Sequence, residues 1–159
     1  WTRLIWRQEP GFFANSQVAL VPSTAITVRH QTQSFTWHGQ PRVTTQLAFP
    51  LTRPGPRWLL LREGTLRAWL RRFGYQDLQI GHADFDFRFT VKGEDEAAIR
   101  ALLLPVAVPL LDAVDYVSSV ECNGTTVVMI ADSRGAIDHR RLPLARLVDA
   151  MRALALASR

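Results

Sequence analysis

The alternation of apolar and polar positions predicts β-strands through most of the first 63 residues. Residues 17–22 form a short strand candidate, and apolar side chains alternate with polar ones from Val43 to Leu51, as in a half-buried antiparallel strand. The run 57–63 has the composition of a more fully buried strand that follows a turn at residues 54–56. We therefore expect this region to form an antiparallel meander.

The apolar positions change parity inside this region. They fall on even numbers through Val28 and on odd numbers from Phe35 onward. Because neighbouring residues of a strand face opposite sides of the sheet, this change predicts a turn or bulge near residues 31–33.

A strand rich in phenylalanine is predicted near the middle of the chain, in the run GHADFDFRFTVKGED. Here Phe85, Phe87, Phe89 and Val91 alternate with charged or polar residues. Burial of each phenylalanine stabilises a fold by roughly 1.5 to 3 kcal/mol, so this period of two needs no chemical function to explain it. We expect these four side chains to lie in the core while the neighbouring carboxylates meet solvent.

Three helices are predicted from capping residues and apolar spacing. The first runs from Thr65 to about Phe73, and the second begins at Asp95 and is kinked or restarted at Pro105. The third begins near Pro143. Its apolar face consists of Leu144, Leu147, Val148, Met151 and Leu154.

A β-hairpin is the strongest local prediction in the chain. Two β-rich runs flank Asn123-Gly124, a pair that suits a two-residue turn because both residues tolerate positive φ. Together these elements predict an α+β fold, in which a mostly antiparallel sheet packs against about three helices. We expect residues 1–159 to form one domain, with residues 1–23 as an extension or juxtamembrane segment.

Charge is distributed unevenly along the chain. Residues 1–76 hold ten arginines against two glutamates, a balance of +8, whereas residues 77–159 hold nine basic against twelve acidic residues, a balance of −3. Arg62, Arg67, Arg71 and Arg72 could form a basic patch that binds a nucleic acid or an anionic membrane surface. The alternative is an ordinary solvated arginine face on the predicted helix.

Candidate chemistry is sparse. His82, Asp84 and Asp86 would project to one side of a strand, and imidazole and carboxylate groups suit Zn, Mn or Fe. A solvated strand face gives the same alternation and is the interpretation we favour. The single cysteine, Cys122, fits a reducing compartment, and the sequence contains no phosphate-binding glycine loop and no HExxH or GxSxG motif.

The central run RFGYQDLQIGHADFDFRFTVKGEDEAAIRALLLP, residues 72–105, resembles a bacterial domain family of unknown function. Its members often carry the pattern LG.qD...Gd.eFD..F.V...d...vR.LL.P behind one or two transmembrane helices. The matching residues here are Gly74, Gln76, Asp77, Gly81, Asp84, Phe85, Asp86, Phe89, Val91, Arg100, Leu102, Leu103 and Pro105. His82 departs from the pattern, because an acidic residue is usual there, and looser similarity extends over residues 25–157.

The resemblance implies a membrane-tethered domain that faces the cytoplasm and has no agreed catalytic residues. It also suggests that Trp1, Arg3, Trp6 and Arg7 lie beside a membrane anchor, since aromatic and basic residues are typical of the inner interface.

Three functions are compatible with these observations. The leading hypothesis is a non-catalytic interaction domain, cytoplasmic or on the cytoplasmic side of a bacterial membrane, which binds an unknown protein partner or an anionic membrane surface. The alternative is a nucleic-acid-binding module that uses the arginine-rich N-terminal half, and the third is a metal-dependent hydrolase. We expect no cofactor and no catalytic residues.

Overall fold

A computed structural model describes residues 7–8, 16–21, 24–37, 40–62, 78–132 and 144–159 of the protein. Its strands are β1 (Arg7–Gln8), β2 (Ser16–Leu20), β3 (Thr27–Trp37), β4 (Gln40–Pro50), β5 (Trp58–Arg62), β6 (Phe89–Gly93), β7 (Val117–Cys122) and β8 (Thr126–Asp132). Its helices are α1 (Ala83–Arg88), α2 (Glu96–Leu103), α3 (Ala107–Asp112) and α4 (Leu144–Ala157), with a 3₁₀ turn at Leu104–Val106.

The described strands form one antiparallel sheet in the order β1-β2-β3-β4-β8-β7-β5-β6. This confirms the predicted α+β class and the meander of the first four strands. The prediction was wrong about the place of β5 in the sheet. This strand pairs with β6 and β7 and does not lie next to β4. The place beside β4 is taken by β8, which pairs with it over residues 44–50 and 126–132.

The predicted irregularity in β3 is a bulge within one continuous strand. Its pairing with β4 shifts register between Gln33 and Trp37, slightly beyond the predicted residues 31–33. Residues 34–36 of β3 lie opposite residue 41 alone, so the strand continues past the irregularity without a turn.

The phenylalanine-rich stretch differs from its prediction, because residues 83–88 form helix α1 and the strand begins only at Phe89. Phe85 and Phe89 are buried, with their ring centroids 4.7 Å apart, while Phe87 is 69% exposed. Residues four apart share one face of a helix and also one face of a strand, so alternation could not distinguish the two. His82 caps this helix: its Nδ1 accepts a hydrogen bond from the backbone N–H of Phe85, at 3.4 Å.

The helix boundaries after β6 lie where Asp95 and Pro105 predicted them. Asp95 caps α2, and its Oδ1 accepts a hydrogen bond from the N–H of Ala98 at 3.0 Å. Pro105 lies in the 3₁₀ turn that separates α2 from α3, as expected for a residue that cannot continue a helix. The predicted helix from Thr65 to Phe73 lies outside the described residues.

Helix α4 confirms the predicted C-terminal helix and its apolar face. Its buried residues are Leu147, Val148, Ala150, Met151 and Leu154, and Leu144 is half-buried. They join side chains from the central strands and from α2 and α3 in one core, so these helices cover one face of the sheet.

The hairpin between β7 and β8 is confirmed, although its turn is displaced by one residue. Cys122 pairs with Val127, which places Gly124 and Thr125 at the centre of the turn. Gly124 has φ +95°, a conformation that favours glycine. The Oδ1 of Asn123 accepts hydrogen bonds from Thr125 and Thr126, so the asparagine stabilises the turn through its side chain.

Candidate functional site at an arginine-rimmed groove

Two adjoining cavities lie where the C-terminal end of α4 meets one end of the sheet. The first, of about 280 Å³, separates α4 from residues 24–26 and 49–52. The second, of about 400 Å³, lies between residues 157–159, helix α2 and the segment 51–58. The cavities share Leu51, Ser158 and Arg159, so we treat them as one feature, the α4 groove. Together they are in the size range of small-molecule sites.

The walls of the α4 groove are mostly apolar. The first cavity is lined by Thr24, Ala25, Ile26, Phe49, Pro50, Leu51, Thr52, Arg152, Ala155, Leu156, Ser158 and Arg159. The second is lined by Leu51, Arg53, Pro54, Gly55, Pro56, Trp58, Ala98, Ala101, Leu102, Cys122, Val127, Ala157, Ser158 and Arg159. Alanines on two helices leave the space, because their side chains are too short to fill it.

The loop that forms one wall is fixed to the β7–β8 hairpin. The backbone N–H of Leu51 donates to the carbonyl oxygen of Thr125 at 2.8 Å, and that of Gly55 donates to Gly124 at 2.9 Å. The first of these bonds continues the β4–β8 register by one residue, and the second ties the loop back to the turn. The proline-rich segment is therefore held against the turn.

At Gly93, the last residue of β6, the backbone packs closely against Arg57 and Trp58 and against Ile99 of α2. A Cβ atom at this position would lie 2.8 Å from the carbonyl oxygen of Arg57 and 3.1 Å from Cβ of Trp58. It would also overlap the Cδ1 atom of Ile99. Only glycine permits this contact, which sets the distance between the α2 wall and the Trp58 wall.

Trp58 is the unusual residue of the second cavity. Its side chain is buried, at 3% exposure, and its indole Nε1 is the one buried side-chain polar atom among the described residues that has no hydrogen-bond partner. Leaving a buried donor unsatisfied costs roughly 1 to 3 kcal/mol, and native proteins contain few such groups. Cys122, which lines the same cavity, is also buried.

Four exposed arginines surround this end of the fold. Arg53 and Arg159 line the second cavity, and Arg152 and Arg159 line the first. Arg57 lies over the hairpin turn, with its Cγ 3.7 Å from where a Cβ on Gly124 would be. Asp149 lies 3.6 Å from Arg152 in an exposed pair, which solvent screens strongly.

Carboxylates near α2 offset part of this charge, but two of them have partners within the helix. Asp95 caps α2, and Glu96 contacts Arg100 at 2.8 Å.

Of the arginines predicted from sequence, the structure describes Arg62, which does not line the groove. Arg62 ends β5, at the opposite end of that strand from Trp58, and its Nη1 donates to the carbonyl oxygens of Val114 and Asp115. Arg67, Arg71 and Arg72 lie outside the described residues.

Two of the three candidate metal ligands have structural partners. The two carboxylate oxygens of Asp86 accept the backbone N–H groups of Ile80 at 2.9 Å and Gly81 at 3.0 Å, and His82 caps α1. Asp84 is exposed. Within the described ranges, no group of three His, Cys, Asp or Glu side chains could hold a metal ion. Capping accounts for His82 and loop closure for Asp86.

Comparison with known proteins adds no assignment. No protein-family model matches the chain, and no curated protein matches it either. In the part of the chain that the structure describes, no helix combines the length and the apolar character needed to span a bilayer.

Sequence reasoning missed the α4 groove because its residues come from distant parts of the chain. Arg53 and Arg57 flank a proline-glycine-proline turn, and this was the one local signal available. Arg53 lines the second cavity together with Arg159, and the sheet at this end has the β7–β8 hairpin inserted between β4 and β5.

Proposed function

We propose that this protein is a non-catalytic interaction domain that binds the anionic cytoplasmic surface of a bacterial membrane through the end of the fold that carries the α4 groove. The observation that supports the proposal is that three exposed arginines, Arg53, Arg152 and Arg159, line an apolar groove, while a fourth, Arg57, lies over the adjoining hairpin turn. Cytoplasmic leaflets carry negative lipids, and basic residues close to them contribute about 1 kcal/mol each.

An exposed apolar side chain lies among these arginines. Leu156 lines the first cavity and is 63% exposed. Cationic residues beside exposed leucine are typical of surfaces that lie in the lipid interface, where charge attracts the surface and the apolar group enters it. A purely electrostatic surface would not need the leucine.

Nucleic acid is the second candidate, and the buried aromatics at this end favour the membrane over it. Single-stranded nucleic acids are held by bases stacked on accessible aromatic rings. The aromatic residues of the groove walls, Trp58 and Phe49, are each 3% exposed. A base could not stack on either ring without a rearrangement of the core.

The test is co-sedimentation with vesicles of phosphatidylcholine alone and of phosphatidylcholine mixed with phosphatidylglycerol, each at low and high salt. We expect binding to the anionic vesicles only, weakening as salt rises. The double substitution Arg53→Gln/Arg57→Gln should remove about 2 kcal/mol, a roughly thirty-fold loss of partitioning.

The matched control is Arg88→Gln/Arg146→Gln, which removes the same charge from exposed positions. Arg88 lies next to Phe89, which pairs with Arg62 at the end of β5 opposite Trp58. Arg146 lies in the first turn of α4, at the other end of that helix from Arg159. The proposal fails if both double variants lose binding equally, or if neutral vesicles bind as well as anionic ones. Salt-dependent binding of DNA or RNA without vesicle binding would favour the second candidate instead.

A further inference from the structure

The sheet has a second face, turned away from the core. One row of paired, buried residues crosses six strands and marks the core side: Val28, Leu47, Met129, Val120, Leu60 and Val91. The core on that side includes residues from all four described helices. Neighbouring residues of a strand point to opposite faces, so the residues before and after each of these six lie on the other side, which we call the outer face.

Two rows of paired residues cross the outer face. The first row contains Arg29, Gln46, Ile130 and Ser119, and the second contains Leu20, Thr27, Ala48, Val128, Glu121 and Leu59. A solvated face of an antiparallel sheet normally presents polar residues. Here Leu20 is 59% exposed and Ile130 is 38% exposed, so the outer face presents large aliphatic side chains to solvent.

Opposite charges flank the aliphatic residues of β8 on this face. Arg29 lies on β3 in the row of Ile130, and Glu121 lies on β7 in the row of Val128. Both charged residues are exposed, and strands β4 and β8 lie between them. With strands about 4.8 Å apart, three spacings separate them by roughly 14 Å across the sheet.

This arrangement is complementary to itself. A two-fold axis that runs between two stacked sheets, and bisects the line from Arg29 to Glu121 at a right angle, brings each arginine opposite the glutamate of a second copy. The axis then passes close to Ile130 and runs roughly along the strands, as in two sheets that pack face to face.

We propose that the outer face is the interface of a symmetric homodimer, in which two sheets stack with Ile130 at the centre and Arg29 of each copy opposite Glu121 of the other. Stacked sheets lie about 10 Å apart, a gap that aliphatic side chains fill from both sides. The inference is independent of the proposed function, because the α4 groove lies on the helix side of the sheet.

The charges on the outer face favour a second copy over an unrelated partner. A partner surface with a single sign of charge would place a like charge opposite either Arg29 or Glu121, which costs binding free energy. A second copy of the chain supplies both signs at the required positions.

The experiment is sedimentation velocity over protein concentrations from about 1 to 500 µM, a range that covers weak and moderate dimers. We expect a reversible monomer–dimer equilibrium for the wild type. Glu121→Arg and Arg29→Glu should each weaken dimerisation at least about ten-fold, because each substitution creates two like-charge contacts in a symmetric dimer.

Mixing the two charge variants separates a contact between copies from a defect in the fold. In a mixed dimer the two chains carry opposite charges at both contacts, so an equimolar mixture should dimerise within about three-fold of the wild-type affinity. A variant that merely folds poorly would not recover in the mixture.

The aliphatic centre is tested with Ile130→Thr, which keeps a β-branched residue in the strand. This change should weaken dimerisation at least about ten-fold, since it removes apolar contact from both copies. The matched control is Val108→Thr on α3, where an aliphatic side chain is 58% exposed on the helix side. The control should dimerise within about two-fold of the wild type.

Three results would each overturn the inference. They are a wild type that stays monomeric over the whole concentration range, two charge variants that do not recover when mixed, and equal effects of the two threonine substitutions.

Discussion

Truncation of Phe85 tests the local structure that sequence alternation could not resolve. Phe85 is fully buried, at 0% exposure, and its ring lies 4.7 Å from that of Phe89. Replacing a buried phenylalanine by alanine costs about 3 to 5 kcal/mol, from lost burial and the cavity left behind. Phe87 is 69% exposed, so Phe87→Ala should change the free energy of unfolding by less than about 1 kcal/mol.

The assay is denaturant unfolding of the wild type and both variants, with the free energies extrapolated to water. Because Phe85→Ala removes a large fraction of the 5 to 15 kcal/mol typical of a domain, Phe85→Leu provides a milder variant, with an expected loss below about 1.5 kcal/mol. An equal or larger loss for Phe87→Ala would refute the helical assignment of residues 83–88 and restore the alternating strand.

Two further substitutions test contacts that position the candidate sites. Gly93→Ala should destabilise the protein by about 1 to 3 kcal/mol, because its Cβ would lie 2.8 Å from the carbonyl oxygen of Arg57; unfolding within about 0.5 kcal/mol of the wild type would contradict the close approach. Asp86→Asn should cost about 1 to 3 kcal/mol, since an amide can accept only one of the two backbone N–H groups that the carboxylate accepts. The exposed control Asp84→Asn should cost less than about 1 kcal/mol, and a metal role would appear instead as stoichiometric Zn, Mn or Fe that both variants lose.

Most elements could be predicted from local pattern because their determinants lie close together in sequence. Asp95 and Pro105 mark helix boundaries through bonds to residues a few positions away, and the apolar face of α4 follows from its spacing. The Asn123-Gly124 pair predicted the hairpin, although Asn123 acts through its side chain. Local chemistry of this kind is visible without a structure.

The secondary structure of residues 83–89 could not be predicted in the same way, because a helix and a strand would bury the same two phenylalanines. Phe85 and Phe89 lie on one face of either a helix or a strand, and only the exposure of Phe87 separates the two structures. His82, which sequence analysis considered as a metal ligand, is the residue whose capping contact favours the helix.

The candidate site could not be predicted at all, because it depends on strand order. β5 lies beyond β8 and β7 in the sheet, which brings Trp58 and Arg53 to the C-terminal end of α4. No spacing within the sequence links these residues, and an indole donor without a partner is recognisable only when its surroundings are known.

The measurement that tests the central claim most directly is the partitioning of the two double variants onto vesicles that contain phosphatidylglycerol. The charge around the α4 groove predicts that Arg53→Gln/Arg57→Gln binds roughly thirty-fold more weakly than the wild type, while Arg88→Gln/Arg146→Gln binds nearly as well. Equal loss in both variants would show that net charge alone draws the protein to the membrane, and would contradict a binding surface at this end of the fold.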